Sequence, residues 1–481
     1  MRRFGLLILS IVVHTPVAAQ QRLTVQRIFG GAEFSGADLE VPHWMRDGRS
    51  VLEVRVDPQA GSALVKVDLV TGGTTVLADG PALTTSDGRR LAVEKATLSA
   101  DESKVLLFHS SVRVWRTNTR GAYHVYDFAT RRLTPLVAEP SPPAPDAQPH
   151  PSFLARGLAS GAADPNLQMF AKFSPNGTQV AYVRGNNLWV TDLTTGRATA
   201  LTRDGSDDII NGTTDWVYEE ELGLRDAFRF SPDGSRIAYW RFDQSAVPAF
   251  PIVDEMSLYP AVSVLRYPKA GERNARVRLG VVNVTGGTPT RWLEAGPDTG
   301  SYLPSMEWVD RDSLFIMRLP RRQNRADLLM LSATSGLGRT MEIDRDSAYV
   351  GSGFTDVKGE GVRWLRGGQE FLWESDRSGW RQVYLFRRDG TLIRQVTTDG
   401  ADVLDVLTAD EARDMLYVTM AAPNATQRQV FRYSLHGGKK AQTGGVRLLG
   451  ASGSHQLDIG PTGQWAIDIH STMGQPATMT L

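Results

Sequence analysis

Three carboxylates stand in a row at Glu219, Glu220 and Glu221, inside the stretch NGTTDWVYEEELGLRDAFRFSPDG from Asn211 to Gly234. Adjacent like charges repel, and a solvated helix turn is the plain structural reason to carry them. The chemical reason would be a cation. An ammonium offers three N–H donors and one positive charge, and two convergent carboxylates satisfy both. Their repulsion disfavours double ionisation of an empty site, and a bound cation relieves it. Asp215 is a suitable N-cap and Gly223 a suitable terminator, so a short helix between them is expected. Consecutive residues on a helix point about a hundred degrees apart, so two adjacent members of the triplet would flank a ligand rather than lie on one stripe. Arg116, in VWRTN, carries the planar fork suited to a carbonyl or carboxylate, or to a surface salt bridge.

Other chemistries find little support. The chain has no cysteine, which removes disulfides, thiolate metal sites and a Cys nucleophile. Its 53 basic and 53 acidic residues cancel, so no global field favours nucleic acid or an anionic surface. No HExxH or other paired histidine spacing occurs, and His43, His109, His124, His436, His455 and His470 are scattered singly, so neither a metal nor a cofactor is expected. A hydrolase nucleophile elbow, G-x-S-x-G, is absent, and the nearest approach, Gly450 to Ser454, lacks the closing Gly. No catalytic residue is assigned.

The elements that must position these groups are strands. FSPNGTQVAYVRG from Phe173 and FSPDGSRIAYWRF from Phe230 repeat one pattern, a Ser-Pro-Asn/Asp-Gly turn followed by an alternating strand. Looser copies lie near Trp44, Leu98, Trp308, Trp364, Leu407 and Ile459, making eight. Most are spaced by roughly 40 to 60 residues, the length of a four-stranded blade. The expected fold is all-β: an eight-bladed β-propeller of antiparallel blades, its Trp and Tyr residues serving mainly as blade core. The last copy runs out at Leu481 and its blade is expected to be incomplete. Two Pro-rich stretches, Ala138 to Ser152 and Phe242 to Asn274, are expected outside regular sheet. Arg2 and Arg3, an apolar run to Val13 and Val17-Ala18-Ala19 form a secretory signal pattern over residues 1–19, leaving 20–481 as the propeller and implying a periplasmic or secreted protein with no membrane span after signal removal.

TDWVYEEELG, FRFSPDGSRIAYWRFDQSAVP, YPKAGERNARVRLGVVNV, VWRTNTRGAYHVYDFATRRLTPL, RLPRRQNRADLLML and WESDRSGWRQVYLF, in that family's setting, resemble the N-terminal propeller of dipeptidyl peptidase IV and its bacterial relatives. The resemblance covers essentially the whole chain after the signal. It implies a serine exopeptidase that releases N-terminal dipeptides, with an eight-bladed propeller and a C-terminal α/β-hydrolase domain that does the cutting. It implies that Glu220 and Glu221 hold the substrate's α-ammonium, which leaves Glu219 as a solvated neighbour, and that Arg116 contacts a peptide carbonyl near the scissile bond. This chain then holds the recognition half, inactive alone, with peptide N-termini as ligands, a hydrolase domain in cis or from an adjacent gene as partner, and a possible homodimer. A stand-alone propeller that binds peptides or proteins without hydrolysis is the alternative.

Overall fold

The computed structural model describes residues 22–34, 42–57, 59–137, 166–256, 258–297, 300–351, 362–437 and 444–481. The signal stretch and the Pro-rich Ala138 to Ser152 lie outside these. The chain divides into two units, residues 1–40 and 41–481. Of the first, the described part is a one-turn helix, Val25–Phe29, capped by the Thr24 hydroxyl, and a short 3-10 turn, Ala32–Phe34.

Among its described residues the second unit shows eight antiparallel sheet units in chain order, the architecture of a β-propeller. In the first, His43–Trp44, Ser50–Asp57, Gly61–Asp68 and Thr74–Ala78 pair in sequence order. All eight sequence repeats prove to be the same piece of the blade, the turn joining its first strand to its second. In the two strictest copies the buried Ser174 and Ser231 hydroxyls donate to Asn176 and Asp233 and accept the Gln179 and Arg236 amides. Gly177 and Gly234 close these turns at φ +67° and +69°, where a side chain is disfavoured. The eighth unit has three strands, Ser454–Ile459, Ala466–Thr472 and Gln475–Thr480. It is tied to the first across 414 positions of sequence, where the Trp44 indole donates to Asp458 at 2.7 Å.

The core lies between neighbouring blades. One apolar cluster runs from Ile210 through Trp240, Phe315 and Trp373 to Phe386, joining three successive sheets. Each such fully buried side chain contributes about 2 kcal/mol of transfer free energy. Trp240 and Trp373 match the expected core role; Trp380 does not, and stands exposed.

Two departures from the regular blade place the functional residues. The second blade's inner hairpin, Lys104–Val114 with Thr117–Asp127, is eleven residues a side and overshoots the sheet. Its tip half pairs with the third blade through Arg120 and Gly121, fusing the two into one sheet. The fourth blade interrupts itself twice, once with the helix Trp216–Leu222 and once with a ribbon, Ala249–Asp254 paired to Ala261–Arg266. This ribbon corrects the expectation that Phe242 to Asn274 forms no regular sheet. In a two-stranded ribbon each strand is an edge, so Pro251 removes no donor that a third strand would need.

Candidate functional site

The helix is short enough that its ends decide whether it forms. The Asp215 carboxylate accepts the Tyr218 amide at 3.0 Å, and Gly223 ends the helix in the left-handed region, φ +66°, with its amide returned to the Tyr218 carbonyl. The two flanks are clamped together: the Thr213 and Thr214 hydroxyls donate to the Arg225 and Leu224 carbonyls, and Ala227 N–H to the Gly212 carbonyl. Tyr218 fixes the helix to the fifth blade, its buried hydroxyl accepting the Leu303 amide at 2.8 Å. Trp216 packs against Tyr267 of the YPKAG segment, ring centroids 4.6 Å apart. Two motifs that looked independent in sequence are therefore one support.

The three carboxylates take three environments. Glu219 is 7% exposed and bonds the Arg225 guanidinium at 3.0 Å; burial raises its pKa despite that partner. It is a structural ion pair and not the solvated neighbour expected, because the 3.6-residue turn carries it onto the packed face beside Tyr218. Glu220 is half-buried and receives the Arg116 fork, Nε to Oε2 and Nη2 to Oε1, both 2.7 Å. Glu221 is exposed at the end of the helix. The structure thus brings Arg116 and Glu220 together across 104 positions of sequence, with Glu221 the next residue along.

Arg116 sits in the two-residue turn between Val114 and Thr117. Trp115 before it is held at φ +49°, a conformation that costs a bulky residue of order 1–3 kcal/mol. Arg113 props the turn, donating to the carbonyls of Trp115 at 2.9 Å and Arg116 at 3.3 Å. Nothing in the sequence singled out Arg113 or Tyr267 as supports, because each acts on a segment that only folding brings beside it. Arg116 itself is 70% exposed, so the fork contributes little to stability and its guanidinium remains open to a ligand.

Asp215 is deeply buried, and burial pushes its carboxyl up to about 6 despite the Tyr218 amide. The Tyr218 phenol is raised well above its ordinary value for the same reason.

Four of the six histidines that are isolated in sequence meet in pairs. His109 Nε2 lies 2.9 Å from His124 Nδ1, and His455 stacks on His470 at 4.4 Å. Among the described residues no group of three His, Asp or Glu is placed to hold a metal, and no helix is long and apolar enough to cross a membrane.

The family model of the dipeptidyl peptidase IV N-terminal region matches residues 99–477. A probable dipeptidyl peptidase 4 from Trichophyton verrucosum (strain HKI 0517) is 28% identical over 358 residues, 69% of this chain and 42% of that protein. One from Arthroderma benhamiae (strain ATCC MYA-4681 / CBS 112371) is 30% identical over 289 residues, 55% of this chain and 35% of that one. The chain thus spans about two fifths of the length of these curated relatives. The crystal structure of Porphyromonas gingivalis dipeptidyl peptidase 4 superposes with a TM-score of 0.80 at 23% identity, over 95% of this chain and 60% of that one, a likeness of fold.

Proposed function

The chain belongs to the dipeptidyl peptidase IV family through its N-terminal region, and from that premise we propose that it is the substrate-recognition part of a secreted or periplasmic exopeptidase. Residues 20–481 form the propeller, and Glu220 and Glu221 bind the α-ammonium of a peptide. Arg116 has two tasks. It holds the Glu220 carboxylate in place through its fork, and it presents its remaining N–H donors to a peptide carbonyl. The bond-breaking chemistry belongs to a hydrolase domain joined in cis or supplied from an adjacent gene, and the propeller gates access to it.

The observation that supports this reading is the meeting of Arg116 with Glu220 beside the exposed Glu221, on a helix braced at both ends. Arg116 is already engaged with Glu220, and the exposed Glu221 offers an ammonium the counter-charge that Arg116 does not neutralise. The test is calorimetric titration of the purified chain with an unblocked Ala-Pro peptide and its N-acetylated form. The unblocked peptide should bind at least about tenfold tighter. Changing both residues, Glu220→Gln with Glu221→Gln, should remove that preference while the melting temperature moves by no more than about 2 °C. Equal affinity for the two peptides would refute the ammonium hook.

A further inference from the structure

Behind the helix lies a cavity of about 620 Å³ that the recognition reading does not use. Trp216 and Glu219 line it from the helix, Arg113, Trp115 and Arg120 from the long hairpin, and residues 262–266 from the ribbon. None of Arg116, Glu220 and Glu221 contributes to it. Its size falls within the range of small-molecule sites. Much of the wall is apolar or aromatic, with Trp115, Trp216, Met169 and Val264 among the contributors.

The charged groups of the lining are unequally satisfied. Asp208 is tied to Arg266 at 2.8 Å, and Glu219 to Arg225 at 3.0 Å. Arg113 gives donors to the Trp115 and Arg116 carbonyls. Arg120 differs: among the described residues no carboxylate or carbonyl receives its guanidinium, and burial alone pushes its pKa below the ordinary value. A half-buried guanidinium without a partner is costly to a fold, because desolvation is not offset by any bond. Its strand gives a reason for the position but none for the charge. Arg120 pairs through its backbone with Val112 and Met169, a task that any strand-forming residue would perform.

We propose that this cavity is a second binding site, separate from the ammonium hook, for a carboxylate-bearing ligand of dipeptide to tripeptide size that is anchored on Arg120. The planar fork of arginine matches a carboxylate in a bidentate fashion. A singly charged anion fits better than phosphate, because Asp207 and Asp208 also line the cavity and repel a dianion more strongly. The apolar wall suits the aliphatic or aromatic side chain that such an acid carries.

The probe is N-acetyl-leucyl-phenylalanine, whose blocked amine cannot use the hook, titrated calorimetrically into the full chain beside its C-terminal amide and inorganic phosphate. The acid should bind at least about tenfold tighter than either control. Arg120→Met should lose that binding while the apo protein melts at the same or a higher temperature, since an unpaired charge has been removed. Arg120→Lys, which keeps the charge and loses the fork, should fall between. The double change Glu220→Gln with Glu221→Gln should leave the acid's affinity within about twofold, which separates this site's failure from that of the hook. Equal binding of acid and amide, tighter binding of phosphate, no binding of the acid at millimolar concentration, or undiminished affinity in Arg120→Met would each overturn the proposal. So would a large loss of stability in Arg120→Met, which would reveal a structural role instead.

Discussion

Asp215 caps the helix that carries Glu220 and Glu221 at a cost that depends on pH, and replacing it with Asn should expose that cost. Its carboxyl is 5% exposed and titrates at about 6, against an ordinary value of 3.8. The folded state therefore favours the neutral acid. The stabilisation this brings is fully present below pH 3.8 and is lost as pH rises through about 6. Above pH 7 the folded protein bears the whole interval, about 3 kcal/mol, and at pH 4.5 about 1 kcal/mol. Asn is an equally good N-cap, and its side-chain oxygen can accept the same Tyr218 amide. The amide nitrogen adds a donor to the buried site, but that cost is the same at both pH values. Urea denaturation of wild type and Asp215→Asn at pH 4.5 and pH 8 should then show the variant gaining about 2 kcal/mol on wild type between the two conditions. A stability difference between variant and wild type that stays constant, or that moves in favour of wild type as pH rises, would refute the argument that burial dominates this carboxyl.

Two further tests address what holds the site and what holds the blades. Tyr218→Phe keeps the ring packing and leaves the buried Leu303 amide without its acceptor, so it should cost about 1–3 kcal/mol in urea denaturation and weaken binding of unblocked peptides; an unchanged midpoint would show the helix to be held by packing alone. His436 bridges two blades, with Asp414 at Nδ1 and Glu370 at 2.8 Å from Nε2, and although burial opposes it these carboxylates raise its pKa. Its contribution is therefore complete below pH 6.5 and declines as pH rises through the raised value, so His436→Gln should destabilise more at pH 6 than at pH 9, and an equal effect at both would argue against a charged bridge.

Sequence alone determined the repeating unit and the short helix that carries Glu220 and Glu221. The turn motifs could be read because they are closed by bonds among neighbours; in the two strictest copies these are a Ser hydroxyl and an Asx side chain, with a Gly that permits the turn, all within five residues. The helix was legible for the same reason, since Asp215 and Gly223 act locally. What the tertiary structure alone decided depends on residues far apart in the chain. The fates of Glu219 and Glu220 diverged because one faces Arg225 and the other faces Arg116, 104 positions away. The Pro-rich ribbon escaped a rule that holds for interior strands, because its strands are edges. Arg120 drew no attention in the sequence, and only folding placed its guanidinium in a cavity where the nearby Asp208 and Glu219 are already paired with Arg266 and Arg225. Local hydrogen bonds leave their pattern in consecutive letters; burial and charge pairing are set by what the fold brings alongside, and no short stretch of sequence records that.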